Sequence, residues 1–155
     1  MRVLFVCSGN RNNGPSEVVL NQYNSLVNHG LTMDFYTIKG RGLFGYLKNI
    51  YPLRKQIKTK KYDIIHAHYS LTGIIAGLAS ASPLVMSLMG SDAHLSGLLK
   101  RLTLYSHRKF WDVTILKSIE MNDHLNLNSY IIMPNGVDTD RFTPMDQNES
   151  KKKLC

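Results

Sequence analysis

Short apolar runs rich in β-forming residues alternate along this chain with longer segments whose apolar residues recur at helical spacing. Arg2–Cys7 is the first run and suits a strand buried on both faces. A Gly/Asn loop, Ser8–Gly14, leads to a helix over Pro15–His29 with an apolar stripe of Val19, Leu20, Tyr23, Leu26 and Val27. Gly14 fits its cap, Pro15 the first helical position and Gly30 the stop. Leu31–Ile38 reads as the second strand. Leu43–Thr59 is helix-like, with Tyr46, Ile50, Leu53 and Ile57 on one face and Pro52 as a break or kink. Asp63–Ala67 is the third strand, Ser70–Ser80 a helix of small residues and Leu84–Leu88 the fourth strand. Leu95–Lys109 predicts a helix that buries Leu95, Leu98, Leu99, Leu102 and Tyr105. Asp112–Leu116, a helix over Ser118–Leu125 capped by Ser118, and a buried strand Tyr130–Met133 complete the series. Pro134 cannot continue a central ladder, and Asn135–Gly136 turns the chain.

Strands alternating with helices imply an α/β fold, a Rossmann-like doubly wound parallel sheet. Ligands of such sheets sit beyond the carboxyl ends of the strands. The loops Ser8–Gly14, His68–Ser70, Met89–His94 and Pro134–Asp138 all fall there, so the residues of interest share one rim by topology.

Composition narrows the partners. The chain has 155 residues, 43% of them hydrophobic, enough for one domain with a real core. A net charge of +8 favours acidic partners. The basic residues gather in Lys39–Lys61, which holds no acid, and again at Lys100, Arg101, Arg108 and Lys109. The first group is interleaved with Leu43, Phe44, Tyr46, Leu47, Ile50 and Tyr51, a composition that suits an anionic membrane surface. No recognised nucleic-acid module accompanies the charge, so nucleic acid is not the expected partner. Cys7 ends an apolar strand and Cys155 ends the chain; a disulfide framework is not expected, and a reducing, cytoplasmic setting fits. Met1–Cys7 is too short for a signal peptide. Ile64–Ser91 carries no Asp, Glu, Lys or Arg, but Pro83 divides it, and it reads as strand–helix–strand and not as a span.

Two resemblances bear on the loops. Val3–Asn10, continuing to Gly14–Pro15–Ser16–Glu17, is similar to the opening of low-molecular-weight protein tyrosine phosphatases. That chemistry needs a thiolate and, after five residues, an arginine. Cys7 is present, but position 13 is Asn and position 14 is Gly, and Arg11 comes too early. Without that arginine neither a depressed thiol pKa nor the transition-state charge is supported.

The second resemblance covers Arg2 to Pro144. Pro134–Asn135–Gly136–Val137–Asp138, followed by Arg141–Phe142 and Pro144, resembles the domain-junction motif of the retaining glycosyltransferases of family 4. Tyr62–His68, an apolar strand ending in His-x-His, resembles a second signature. Leu84–Asp92 resembles the strand and His–Gly–Ser–Asp loop of the family, with Met89 where many members have a histidine implicated in catalysis. A thioether neither donates a proton nor carries charge.

The resemblance implies one half of a GT-B fold, with 1–144 as the N-terminal, acceptor-side domain and 145–155 as the start of the linker to a C-terminal donor-binding domain. It implies transfer of a sugar from a nucleotide-sugar donor to a saccharide or lipid-linked acceptor, with retention of configuration, no metal and no cofactor beyond the donor substrate. Its setting is polysaccharide biosynthesis in the cytoplasm, at the inner face of the membrane. The residues it points to are Asp92, to orient or deprotonate an acceptor hydroxyl, and Gly14, His68, Ser91 and Asn135 for substrate binding. The isolated chain is then expected to be inactive. A second reading is a non-catalytic Rossmann-like module that docks a membrane or protein partner through its basic faces; Met89 favours it.

Overall fold

A computed structural model describes residues 1–10, 14–139, 142–144, 146–147 and 151. Arg11, Asn13, Arg141 and Cys155, on which parts of the sequence reading rest, lie outside the described residues, as does most of the charged tail.

The strands are β1 (Arg2–Ser8), β2 (Thr32–Ile38), β3 (Ile64–His68), β4 (Leu84–Ser87), β5 (Val113–Leu116) and β6 (Ile131–Ile132). They form one sheet of order β2-β1-β3-β4-β5-β6, and every neighbouring pair is parallel. The chain winds outward from β1 to β2, returns to the other side of β1 as β3, and then proceeds to β6. The reversal between β1 and β3 is the topological switch point, where adjacent loops leave the sheet in opposite directions and open a crevice. The expected Rossmann-like doubly wound sheet is therefore the fold found.

The two faces of the sheet are covered unequally. Along β1, Leu4 and Val6 point to one side and Val3, Phe5 and Cys7 to the other, the period of a strand. The Leu4 side packs against α2 (Gly42–Leu47), α3 (Ile50–Lys60), α4 (Ser70–Leu78), α5 (Gly97–Lys109) and α6 (Glu120–Leu125) through Tyr46, Leu53, Ile75, Ala76, Leu104, Met121 and Leu125. Among the described residues the Phe5 side packs against α1 (Glu17–Asn28) alone, through Val19, Tyr23 and Leu26.

Four expectations need correction. The segment read as one helix over Leu43–Thr59 is two, and the break falls at Lys48–Asn49, not at Pro52. Pro52 lies in the first turn of α3, where its missing N–H leaves no intrahelical bond unmade. Buried Asn49 fills the joint: its amide donates to the Gly45 and Lys39 carbonyls at 2.7 and 3.1 Å, and its oxygen accepts from Tyr36 at 3.2 Å. Second, α5 buries Thr103 and Ser106 and exposes Leu98, Leu102 and Tyr105, the reverse of the stripe reading. α5 packs against α4, whose Gly73 and Gly77 leave room for Trp111 and Phe110 at close range. A Cβ on Gly77 would sit 2.7 Å from Phe110 ring atoms, just past the end of α5. Third, β6 is a two-residue edge strand with both residues exposed, not a buried one. An edge strand covered on neither face cannot bury its side chains. Fourth, α1 starts at Glu17 and α6 at Glu120, preceded by Ser16 and Ile119. Gly14, Pro15 and Ser118 therefore belong to loops.

Candidate functional site

Because all strands are parallel, the four loops singled out in the sequence leave the same rim of the sheet. Three of them meet. The loops after β1, β3 and β4 enclose a cleft of about 680 Å³ at the switch point, flanked by Tyr46 of α2 on one side and by Leu95, just before α5, and Leu99, in its first turn, on the other. Gly14, Ser91 and Asp92 all line it. The fourth loop, Met133–Thr139, lines a neighbouring groove of about 520 Å³ together with α1 and Lys117, and exposed Asn135 lies there.

Asp92 is the buried acid of the cleft, 4% exposed. It stands in a 3-10 turn, Gly90–His94, that replaces the loop expected there. Its Oδ2 accepts the Met89 N–H at 2.8 Å and its Oδ1 accepts the Ser70 N–H at 3.2 Å. One carboxylate thus holds the loop after β4 to the first residue of α4. Burial raises its pKa above the ordinary carboxylate value, and the bonds from Met89 and Ser70 oppose that rise. The group is not the cap of α5, which begins five residues further on.

Tyr69, between β3 and α4, also lines the cleft and has φ of 74° with ψ of 140°, a conformation costly to a residue with a Cβ. The surrounding bonds impose it. Its N–H donates to the Ser87 carbonyl at 3.1 Å, and its carbonyl accepts from the Thr72 and Gly73 amides at 3.0 and 3.1 Å. The path of β3 and the start of α4 are fixed by their own ladders, and Tyr69 absorbs the mismatch.

His66 and His68 point to the same side of β3, as alternation predicts, and their rings stack with centroids 4.3 Å apart. They lie beneath the rim on the α1 side, edge-on to Phe5. His66 Nε2 pairs with Ser87 Oγ at 2.8 Å, and His68 Nε2 with Gln22 Oε1 at 3.0 Å. His68 is 1% exposed and lines neither the cleft nor the groove; Gln22 stands between it and the groove. Its Nδ1 has no hydrogen-bond partner of ordinary geometry among the described residues. Burial lowers both pKa values, that of His66 to about 4, and the half-buried Lys117 lowers them further. Both rings are therefore neutral at pH 7. Among the described residues no group of three His, Cys, Asp or Glu side chains is arranged to hold a metal ion.

Cys7 settles the phosphatase resemblance. Its side chain is buried, and burial pushes its thiol up to about 12, so it is not the thiolate that phosphate transfer needs. Gln22, Ser87, Tyr69 and Lys117 escaped the sequence reading. Lys117 follows β5 directly, and its place at a strand's carboxyl end was the signal that could have found it. Gln22 and Ser87 gave none, since each matters only through a contact made across the fold.

Residues 12–124 match the glycosyl transferase 4-like family. Two solved structures of Alr3699/HepE from Anabaena, one in complex with UDP and one with UDP and glucose, share 17% and 19% sequence identity with this chain at TM-scores of 0.61 and 0.65. Each alignment covers 99% of this chain and 50% of the HepE chain, so the chain spans about half the length of those proteins. At such identity the likeness is one of fold. No curated protein matches the chain. The family match runs from the loop after β1 through most of α6, taking in most of the cleft lining, and the chain belongs to the glycosyl transferase 4-like family, with the fold of an N-terminal, Rossmann-like GT-B half.

Proposed function

We propose that the chain is the acceptor-side half of a glycosyltransferase that moves a sugar from a nucleotide-sugar donor to a saccharide or lipid-linked acceptor with retention of configuration. The observation that carries this reading is the meeting of three strand-end loops, with Gly14, Ser91 and Asp92, in one cleft at the switch point of a family member's sheet. Residues 1–144 form the domain, and 145–155 lead toward a donor-binding half. Ser91, exposed at the mouth, offers a hydroxyl to an acceptor. Asp92 orients the Met89–Ser91 backbone toward it and supplies the site's negative charge. Gly14 lets the first loop approach the ligand, and Asn135 presents an amide beside the junction. His68 contributes from below, by fixing Gln22 and α1 against the sheet. Metal and cofactor have no part in this reading beyond the donor itself.

The membrane contact belongs to the same proposal. Phe44 is 85% exposed and Tyr51 is also exposed, on α2 and α3, with Arg41 and Lys48 at the ends of α2 and Lys55 on α3 exposed to solvent. Aromatic side chains among lysines and arginines suit an anionic headgroup layer, here the inner, cytoplasmic face of a membrane where polysaccharide is assembled. Among the described residues no helix is long and apolar enough to cross a membrane.

Met89 favours a second reading, a non-catalytic binding module. It is buried and lines the cleft with a thioether that cannot move a proton. One experiment separates the two. A sugar-nucleotide and acceptor screen is run on a protein carrying both halves, beside its Asp92→Asn and Met89→His variants and the isolated chain. Turnover by the two-domain protein, lowered by Asp92→Asn and absent from the isolated chain, supports the transferase. Absence of turnover that Met89→His restores identifies the module reading.

A further inference from the structure

We propose that α5 carries a lipid-contacting surface of its own: Leu98, Leu102 and Tyr105, flanked by Arg101, Arg108 and Lys109, dock on an anionic bilayer. The inference starts from the inversion of this helix. An amphipathic helix on a sheet turns its apolar stripe inward. Here small polar Thr103 and Ser106 face inward, while Leu98 is 72% exposed and Leu102 and Tyr105 are exposed beside it. The three large side chains are four and three residues apart, so they form one stripe along the outer face. A contiguous apolar stripe left in water marks a contact.

The charges choose the partner. No acid occurs from Ala93 to Trp111. Lys100 is spent inside the molecule, donating to the His124 carbonyl. Arg101, Arg108 and Lys109 are exposed and form no ion pair among the described residues. A helix face that carries cations and no acid of its own around leucine and tyrosine complements anionic headgroups over an acyl boundary. Tyr105 is suited to that boundary, having an apolar ring and a polar tip.

Position strengthens the choice. α5 lies in the same helix layer as α2 and α3, on the Leu4 side of the sheet, with the small-residue helix α4 between them. α5 and α2 both border the cleft, through Leu99 and Tyr46, so a membrane contact on α5 lies beside the one proposed for residues 39–61. The inference takes its partner from the membrane contact proposed for residues 39–61, but not from sugar transfer.

The test is flotation of the chain with vesicles of phosphatidylcholine alone and of phosphatidylcholine with phosphatidylglycerol. Binding is expected to the anionic vesicles only and to fall with salt. Arg101→Gln and Arg108→Gln should each weaken it about fivefold, and Leu98→Ser about tenfold. Leu98→Trp should add a blue-shifted emission on anionic vesicles. Phe44→Ser is run in parallel, because the two surfaces are read separately. Loss of binding with Phe44→Ser while every α5 variant binds like the parent would overturn the α5 proposal and leave the 39–61 contact standing. A dimer in sedimentation that Leu98→Ser dissociates would overturn it too, by making the stripe a self-interface. Absence of vesicle binding by the parent chain overturns both surfaces, and neither outcome touches the transferase assay.

Discussion

The carboxylate of Asp92 accepts the amide of Ser70 at 3.2 Å across twenty-two positions of sequence, joining the loop after β4 to the start of α4. Its other oxygen holds Met89 within its own loop. Removing the side chain orphans two buried N–H donors, so Asp92→Ala should cost about 2 kcal/mol or more. Asp92→Asn keeps one acceptor and should cost less. The pH dependence tells them apart from a mere packing defect. Burial raises the folded pKa above its ordinary 3.8. A raised carboxyl pKa means the fold prefers the protonated form. That preference is fully present below the unfolded value and is lost as pH rises through the folded one. Wild type should therefore lose stability relative to Asp92→Asn as pH climbs from 3.8. Urea midpoints at a series of pH values check this, and parallel curves for the two proteins would sink it.

The stacked histidines titrate in the opposite sense. His66 falls from an ordinary 6.5 to about 4. A depressed histidine pKa means the fold holds the ring neutral while the unfolded chain takes up a proton. The stability it protects is present above 6.5 and drains away as pH falls toward 4. The shift corresponds to about 3 kcal/mol for His66 at full protonation, and His68 moves in the same direction. His66→Gln retains a partner for Ser87 but cannot charge. Its acid limb should be shallower than that of the parent between those two values. An unchanged acid limb would show that other groups govern acid unfolding.

Most of the fold was legible because parallel strands buried on both faces need continuous apolar runs, and Arg2–Cys7, Asp63–Ala67 and Leu84–Leu88 have them. The rim followed from that topology. What sequence could not show was which side of a helix faces in when the neighbour is unusual. On α5 the periodicity of Leu98, Leu102 and Tyr105 is real, but Thr103 and Ser106 take the inside of the helix. β6 failed for a related reason: Ile131 and Ile132 are apolar, and apolarity alone does not distinguish a central strand from an edge. In the site, Asp92 was visible from its motif, whereas its two amide partners exist only in three dimensions.

The close approach of α4 gives a packing prediction. An added Cβ at Gly77 would lie 2.7 Å from Phe110 Cβ, Cγ and Cδ2, the root of a ring that has little freedom to retreat. At Gly73 the first obstacle is Met86 Sδ at 2.3 Å, part of a flexible side chain, with Trp111 Cζ2 behind it at 3.1 Å. Gly77→Ala should thus destabilise by about 1–3 kcal/mol, and Gly73→Ala by less where Met86 swings aside. Phe110→Leu combined with Gly77→Ala should recover part of the loss. Chemical denaturation of the three variants reads the order, and an equal cost at both glycines would contradict it.

Tyr69 offers a prediction in which stability and binding move apart. Its φ of 74° is held by bonds on both sides of the residue, to the Ser87 carbonyl and from the Thr72 and Gly73 amides. Such a conformation costs a residue with a Cβ roughly 1–3 kcal/mol. Glycine adopts it without that cost but gives back about 1 kcal/mol through the greater freedom of the unfolded chain. Tyr69→Gly should therefore offset most of what is lost with the half-buried aromatic ring. Tyr69→Ala keeps the strain and loses the ring, and should be the less stable of the two. Tyr69 lines the cleft beside Ser70 and Asp92, so under the proposed acceptor role both variants should weaken binding of an acceptor sugar alike. Thermal unfolding gives the first comparison, and amide-shift titration with an acceptor sugar gives the second. A Tyr69→Gly variant less stable than Tyr69→Ala would mean that the backbone at this position is not strained.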